Sequence, residues 1–197
     1  PVLSDNFNVD KIKVAKHKWI NDKNLKVIIS AGRLHPQKDY PTLIKAFRLA
    51  LEKESNIRLL ICGEGDEKEN LVSLIRKYNL QEFVHMIGFT NQLYSYLKGS
   101  DIFCFTSLYE GFGNVIIEAI ALGLPVISTS CDGISREIIN SEEIGSLVPI
   151  KRHDILANKI LEKLKNKNSN KRNLGIASKY KVSEMGNQYY QVIKSIN

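Results

Sequence analysis

The sequence predicts an α/β fold of the doubly wound kind, with a parallel sheet of about six strands, helices on both faces and a helical tail at the carboxyl end. Three observations predict it. Short runs rich in Val, Ile, Leu and Phe are apolar on both faces, as strands covered by helices must be. Amphipathic stretches with apolar residues at helical spacing lie between them. The alternation of the two repeats with few exceptions from residue 25 to residue 165.

The strand runs, in order, are Lys26 to Ala31 (KVIISA), Arg58 to Cys62 (RLLIC), Phe83 to Ile87 (FVHMI), Asp101 to Phe105 (DIFCF), Pro125 to Ser128 (PVIS) and Gly145 to Val148 (GSLV). After the first run a helix begins near Pro41, with Leu43, Ile44, Phe47 and Leu51 on one stripe. After the second, Leu71, Leu74, Ile75 and Tyr78 make another stripe. Asn114 to Leu122 reads as a helix after the fourth run, and Leu156, Ile160 and Leu164 mark one after the sixth. The polar stretch from Leu164 to Asn173 (LKNKNSNKRN) reads as a loose connection. Beyond it, Tyr189, Val192, Ile193 and Ile196 recur at helical spacing, giving a last helix an apolar face that needs a partner. No repeat of solenoid length is present.

Composition excludes several classes. No apolar run approaches the roughly 20 residues of a membrane span, and no charged-then-apolar leader opens the chain. The opening PVLSDNFN, starting at Pro1, reads as the middle of a longer polypeptide. Cys62, Cys104 and Cys131 are odd in number and widely spaced, with two inside strand runs. They fit a reducing, cytoplasmic setting better than a disulfide framework or a zinc site. His17, His35, His85 and His153 are scattered without ligand spacing on a helix face, so no metal is expected. The net charge of +7 lies in the tail: residues 1–150 hold 17 Lys and Arg against 18 Asp and Glu, and residues 151–197 hold 11 against 3. That gradient suits an anionic membrane surface, at the inner face of the membrane, or an acidic partner; a solvated helical tail is the plainer reading. No basic platform interleaved with aromatics points to nucleic acid.

In an open α/β sheet, ligands bind beyond the carboxyl ends of the strands. The first strand runs into Gly32-Arg33-Leu34-His35-Pro36-Gln37-Lys38. Arg33 offers a planar fork for phosphate oxygens and Lys38 a compact charge, with Gly32 letting the backbone come close. The competing reading is an Arg that caps carbonyls and a solvated Lys. The fourth strand is followed by Glu110, Gly111, Phe112 and Gly113 and then the helix from Asn114 and Val115 that carries Glu118. Both carboxylates can face one cleft, and carboxylates there suit sugar or ribose hydroxyls. Gly111 and Gly113 allow a tight turn that leaves helix-start N–H groups free. Glu118 sits among Ile116, Ile117, Ala119 and Ile120, so it needs a partner.

Three further loops carry weaker signals. Gly63-Glu64-Gly65 after the second strand lacks the third glycine of a dinucleotide fingerprint and reads as a turn near the ligand. Main-chain groups of Gly88, Phe89, Thr90 and Asn91 after the third strand are placed to read a base edge. Asp132, Gly133, Ile134, Arg136 and Glu137 read as a turn and a helix start. Ser107 has no nucleophile-elbow context.

Gly32-Arg33-Leu34 with Lys38 resembles the phosphate loop of family 4 retaining glycosyltransferases, and Glu110-Gly-Phe-Gly-Asn-Val-Ile-Ile-Glu118 resembles their Glu-x7-Glu motif. The similarity runs from about Pro1 to Ile160 and takes in FVHMIGF, the segment from Ala121 to Thr129, and GSLVPI. Where the family often shows Gly-Gly-x-Pro-Glu, this chain reads DGISRE from Asp132 to Glu137. The resemblance implies a GT-B enzyme of two Rossmann-like halves, with this chain as the half that holds the nucleotide-sugar. Residues 1–165 would then be the donor-binding domain, and 166–197 a helical tail packing back toward an N-terminal acceptor domain.

The resemblance further implies that Arg33 and Lys38 grip the diphosphate, Glu118 holds the ribose hydroxyls, and Glu110 with the amides after Gly113 orients the transferred sugar. Ile87 to Asn91 would meet the base. No cofactor or metal is expected. The acceptor would be a glycan, lipid or other hydroxyl, as in polysaccharide biosynthesis. Other classes fit less well. A dinucleotide oxidoreductase needs glycines where the first loop reads GRLHPQK; a sugar-nucleotide epimerase shares the two-half architecture; and a non-catalytic module would work through the basic tail.

Overall fold

The computed structural model describes residues 3–131, 135–142, 144–165 and 179–196. The Asp132-Gly133-Ile134 turn, the polar connection from residue 166 to residue 173, and the side chains of Tyr189, Val192, Ile193 and Ile196 lie outside the described residues.

The six expected runs are the six strands, β1 (Lys26–Ala31), β2 (Ile57–Cys62), β3 (Val84–Gly88), β4 (Ile102–Phe105), β5 (Val126–Thr129) and β6 (Gly145–Val148). They pair in parallel in the order β3-β2-β1-β4-β5-β6. Boundaries move by a residue where the chain caps a strand instead of extending it. Asp101, expected inside the fourth strand, uses its carboxylate to accept from the Val27 N–H at 2.8 Å and from the Lys26 ammonium at 3.2 Å.

The strands are apolar on both faces because both faces are covered. Val27, Ile29, Leu60, Phe103 and Phe105 point into one core, and Ile28, Leu59, Ile61, Cys104 and Ile127 into the other. The second core is closed by α1 (Tyr40–Leu51), α2 (Lys68–Lys77) and the helix His153–Lys165, whose stripes contribute Leu43, Phe47, Leu71, Ile75, Leu156 and Ile160. The first is closed by α3 (Leu93–Lys98), α4 (Asn114–Ala121), the short α5 (Ser135–Ile138) and the segment before β1, which buries Leu3, Val9 and Trp19. In chain order the helix His153–Lys165 is α6.

Helix α3 was not evident from periodicity: six residues, LYSYLK, are too few to establish it. It is held by the segment before β1, since the Ala15 N–H donates to the Ser95 carbonyl at 3.0 Å. The Lys98 ammonium donates to the carbonyls of Val9 and Ile12 at 2.9 and 2.7 Å. The last helix, α7 (Val182–Ile196), begins against the start of the chain. Leu3 forms a parallel bridge with Lys181, and Asp5 accepts from both the Ser183 N–H and hydroxyl at 3.1 and 2.6 Å. No helix among the described residues is long and apolar enough to cross a membrane.

Candidate functional site

Strand order reverses direction on either side of β1 and β4, the place where an open α/β sheet leaves a crevice. Two adjoining pockets occupy it. The first, about 360 Å³, is walled by Arg33, Cys62, Gly63, Glu64, Phe89 and Thr90. The second, about 380 Å³, is walled by Lys38, Glu110, Phe112, Gly113, Asn114 and Val115. Ala31, Gly32 and Leu93 belong to both. The two together are of the size that small-molecule ligands occupy.

The loop after β1 is positioned by its neighbours. The Leu34 N–H donates to the Glu64 carbonyl at 2.8 Å, and the Leu108 N–H to the Gln37 carbonyl at 2.8 Å. The Thr106 hydroxyl holds the Lys38 carbonyl at 2.8 Å, and the Tyr40 hydroxyl the Gly32 carbonyl at 3.1 Å. Burial pushes the Tyr40 phenol well above its ordinary range, so it stays a donor. The glycines of Gly63-Glu64-Gly65 have a packing reason. A Cβ on Gly63 would lie 1.9 Å from the Gly32 carbonyl oxygen, and one on Gly65 2.3 Å from that of Leu34. The Gly-x-Gly is therefore what lets the β1 and β2 loops touch.

Lys38 and Glu110 meet as an ion pair across these loops, with side chains only 18% and 10% exposed. The same carboxylate oxygen accepts from the Ser107 hydroxyl at 2.8 Å and from Gln37 Nε2 at 3.3 Å. Gln37 also reaches the Tyr109 carbonyl at 2.7 Å, and the Lys38 ammonium stands 4.9 Å from the centre of the Phe105 ring, an added cation–π attraction. Arg33, expected as its partner in charge, is exposed and walls the other pocket, with no side-chain partner among the described residues. The two cations thus serve different pockets.

Gly113 caps α4 at φ 63, the left-handed conformation that glycine adopts without strain, and the first-turn amides of Asn114 and Val115 border the second pocket. Gly111, expected to be needed for the same turn, has no positive φ. A Cβ there would meet nothing within 4 Å. Glu118 is not a wall of either pocket; its Oε1 accepts from the Tyr94 hydroxyl at 3.2 Å. Burial raises the Glu118 carboxyl above the usual range, and the hydrogen bond from Tyr94 works against that rise. Tyr94 is in turn pushed up to about 12, first by burial and then by the Glu118 charge.

After β3, Phe89 is 81% exposed and walls the first pocket; Asn91 is exposed and walls neither. Gly88 sits at φ 82, with the Glu64 carboxylate in the space that a side chain would take. The three cysteines are buried and free, and burial raises the Cys62 thiol to about 12, which makes it an inert wall. The exposed Arg136 folds back on Ser130, its Nε donating to the hydroxyl at 2.7 Å. Sequence reasoning did not find Ser107, Gln37 or Tyr94. Gln37 and Tyr94 act on carboxylates far along the chain, which no local pattern signals, and Ser107 acts on Glu110 three residues away within one loop.

The profile described as glycosyl transferases group 1 matches residues 11–179. The chain is 44% identical over 147 residues to an uncharacterized glycosyltransferase, MJ1059, of Methanocaldococcus jannaschii, covering 72% of this chain and 36% of that protein. It is 38% identical over 125 residues to the Campylobacter jejuni N-acetylgalactosamine-N,N'-diacetylbacillosaminyl-diphospho-undecaprenol 4-alpha-N-acetylgalactosaminyltransferase, covering 64% of this chain and 33% of that one. The chain therefore spans about a third of the length of these relatives.

Among solved structures, Anabaena Alr3699/HepE in complex with UDP aligns at a TM-score of 0.83 over 96% of this chain and 56% of its own, with 21% identity. The pneumococcal O-GlcNAc transferase GtfA in complex with UDP and GlcNAc aligns at 0.78 over 94% and 38%, also with 21% identity. At these identities the likeness is one of fold. With a profile match over most of its length, the chain belongs to the glycosyl transferases group 1 family.

Proposed function

We propose that this chain is the donor-binding half of a retaining glycosyltransferase that moves a hexose-type sugar from a nucleoside-diphosphate carrier to a hydroxyl acceptor. The observation that carries this reading is the paired pocket joined at Gly32, with Arg33 in one part and Lys38, Glu110 and the α4 amides in the other. A nucleotide-sugar is a ligand of matching design: a base and ribose at one end, a sugar at the other, and two phosphates at the join.

In this reading the nucleoside takes the first pocket, with the base beside Phe89 and Thr90, and the sugar takes the second. Arg33 and Lys38 approach the diphosphate from its two sides. As the bond from sugar to phosphate stretches, negative charge grows on the leaving oxygen, and fixed cations stabilise it without a metal. Lys38 has three donors, so it can reach phosphate while keeping Glu110 in place. Glu110, held by Ser107 and Gln37, then accepts from sugar hydroxyls, and Glu118 accepts from the ribose. UDP in HepE and GtfA favours a nucleoside diphosphate, and the lipid-linked acceptor in the name of the C. jejuni relative favours a glycan or lipid-linked acceptor. Retention rests on the family resemblance. The acceptor site falls to a facing half, so the chain alone binds donor and transfers little sugar.

A calorimetric screen of UDP-, GDP- and ADP-sugars tests this. One donor class binds, and Arg33→Ala, Lys38→Ala and Glu110→Ala each weaken it at least about tenfold, the loss of one charge-assisted contact. A flat response to all donors overturns the donor site; turnover equal to that of a full-length relative overturns the half-site reading.

A further inference from the structure

We infer that Tyr94 is a positioning residue that aims the Glu118 carboxylate, holding one oxygen so that the other is presented to paired hydroxyls. The inference rests on the reading that Glu118 meets the ribose. Glu118 Oε1 accepts from the Tyr94 hydroxyl at 3.2 Å, whereas Oε2 has no partner among the described residues. Nor is Oε2 sealed away, since among the described residues the buried side-chain oxygens without partners are those of Asp39 and Asn56. On a helix whose neighbours Ile116, Ile117 and Ala119 are fully buried, this accessible oxygen is left open to the hydroxyls of a ligand.

Tyr94 is built to hold still. Its ring meets Phe7 edge-on at 5.5 Å, and its helix is pinned to the segment before β1 by Ser95 and Lys98. The adjacent Leu93 walls both pockets, which places this hydrogen bond beside the crevice. The phenol remains protonated at every working pH, so it always donates. A donor at Oε1 also favours the ionised carboxylate against the burial that disfavours it. The ionised form is the stronger acceptor of hydroxyls.

The test is Tyr94→Phe, which removes one oxygen and keeps the ring against Phe7. The probes are whichever of UDP, GDP and ADP binds, and its 2′-deoxy counterpart. Tyr94→Phe weakens the ribonucleotide by roughly three- to tenfold, the value of one hydrogen bond, and weakens the deoxy form less. The acid limb of binding moves to higher pH. A ligand-free readout accompanies this: the carboxyl titration of Glu118, followed by carbon NMR, has its midpoint raised in Tyr94→Phe. An unchanged titration and an unchanged ribonucleotide affinity overturn the positioning role. If Glu118→Gln also leaves ribonucleotide affinity unchanged, the assignment of Glu118 to the ribose fails instead.

Discussion

Lys38 places its ammonium on the Glu110 carboxylate, 72 residues away in sequence and on a different loop, and both side chains are mostly buried. Neither charge is therefore independent of the other. Lys38→Met leaves Glu110 with Ser107 and Gln37 as donors but no counter-charge, a cost of about 1–3 kcal/mol in unfolding free energy. Glu110→Gln alone strands the ammonium. The double variant is less damaging than the sum of the two, with a coupling of about 1–2 kcal/mol in a double-mutant cycle followed by urea unfolding. Strict additivity rules out the pair as a working unit.

Two glycines of the crevice separate backbone need from ligand space. Gly63→Ala drives a methyl into the Gly32 carbonyl at a positive φ, and costs roughly 3 kcal/mol or more. Gly111→Ala meets nothing within 4 Å and changes stability by no more than about 0.5 kcal/mol. Thermal unfolding of the two variants checks the contrast; equal losses contradict it.

The segment before β1 is latched to β3 by a histidine pair that works only when neutral. The Trp19 N–H donates to His17 Nδ1 at 3.2 Å, so the His17 proton is on Nε2, which donates to His85 Nδ1 at 2.9 Å. A proton added to either ring sets two donors against each other. Both imidazoles are depressed below their ordinary range, first by burial; the charge of Lys18 lowers both, and His85 also lowers His17. Below about pH 6.5 the unfolded chain takes up protons that the folded chain resists, so stability is full above that pH and falls beneath it. In His85→Gln, whose amide oxygen still accepts from His17, the fall is shallower. Urea midpoints between about pH 5 and pH 8 decide it, and identical slopes contradict the latch.

The sheet was legible because burial on both faces writes itself into most strands: Val27-Ile28-Ile29 and Leu59-Leu60-Ile61 are apolar at every successive position. That Arg33, Lys38 and Glu110 would face a crevice was legible because the loops after strand ends border it in this fold, whereas Glu118, inside α4, walls neither pocket. What could not be read were pairings made by folding. That His17 meets His85, that Tyr94 meets Glu118, or that Gly63 must admit the Gly32 carbonyl depends on which strands lie side by side. Gly111 shows the reverse: a glycine that looked necessary for a turn has an ordinary backbone. The short α3 escaped for want of length, although its Leu93 walls both pockets and its Tyr94 holds Glu118.

Gly32 floors both pockets, and a methyl there would come within 3.3 Å of both the Lys38 side chain and the Tyr40 hydroxyl. It is a mountain pass between two valleys. Raise the pass and each valley still admits a short guest, but a guest long enough to lie in both must bend or leave. Single-part molecules, a free nucleoside or a free sugar, would scarcely notice; the two-part molecule would be turned away. In the proposed donor site, selectivity for length would be held at this one residue, by an atom the chain leaves out.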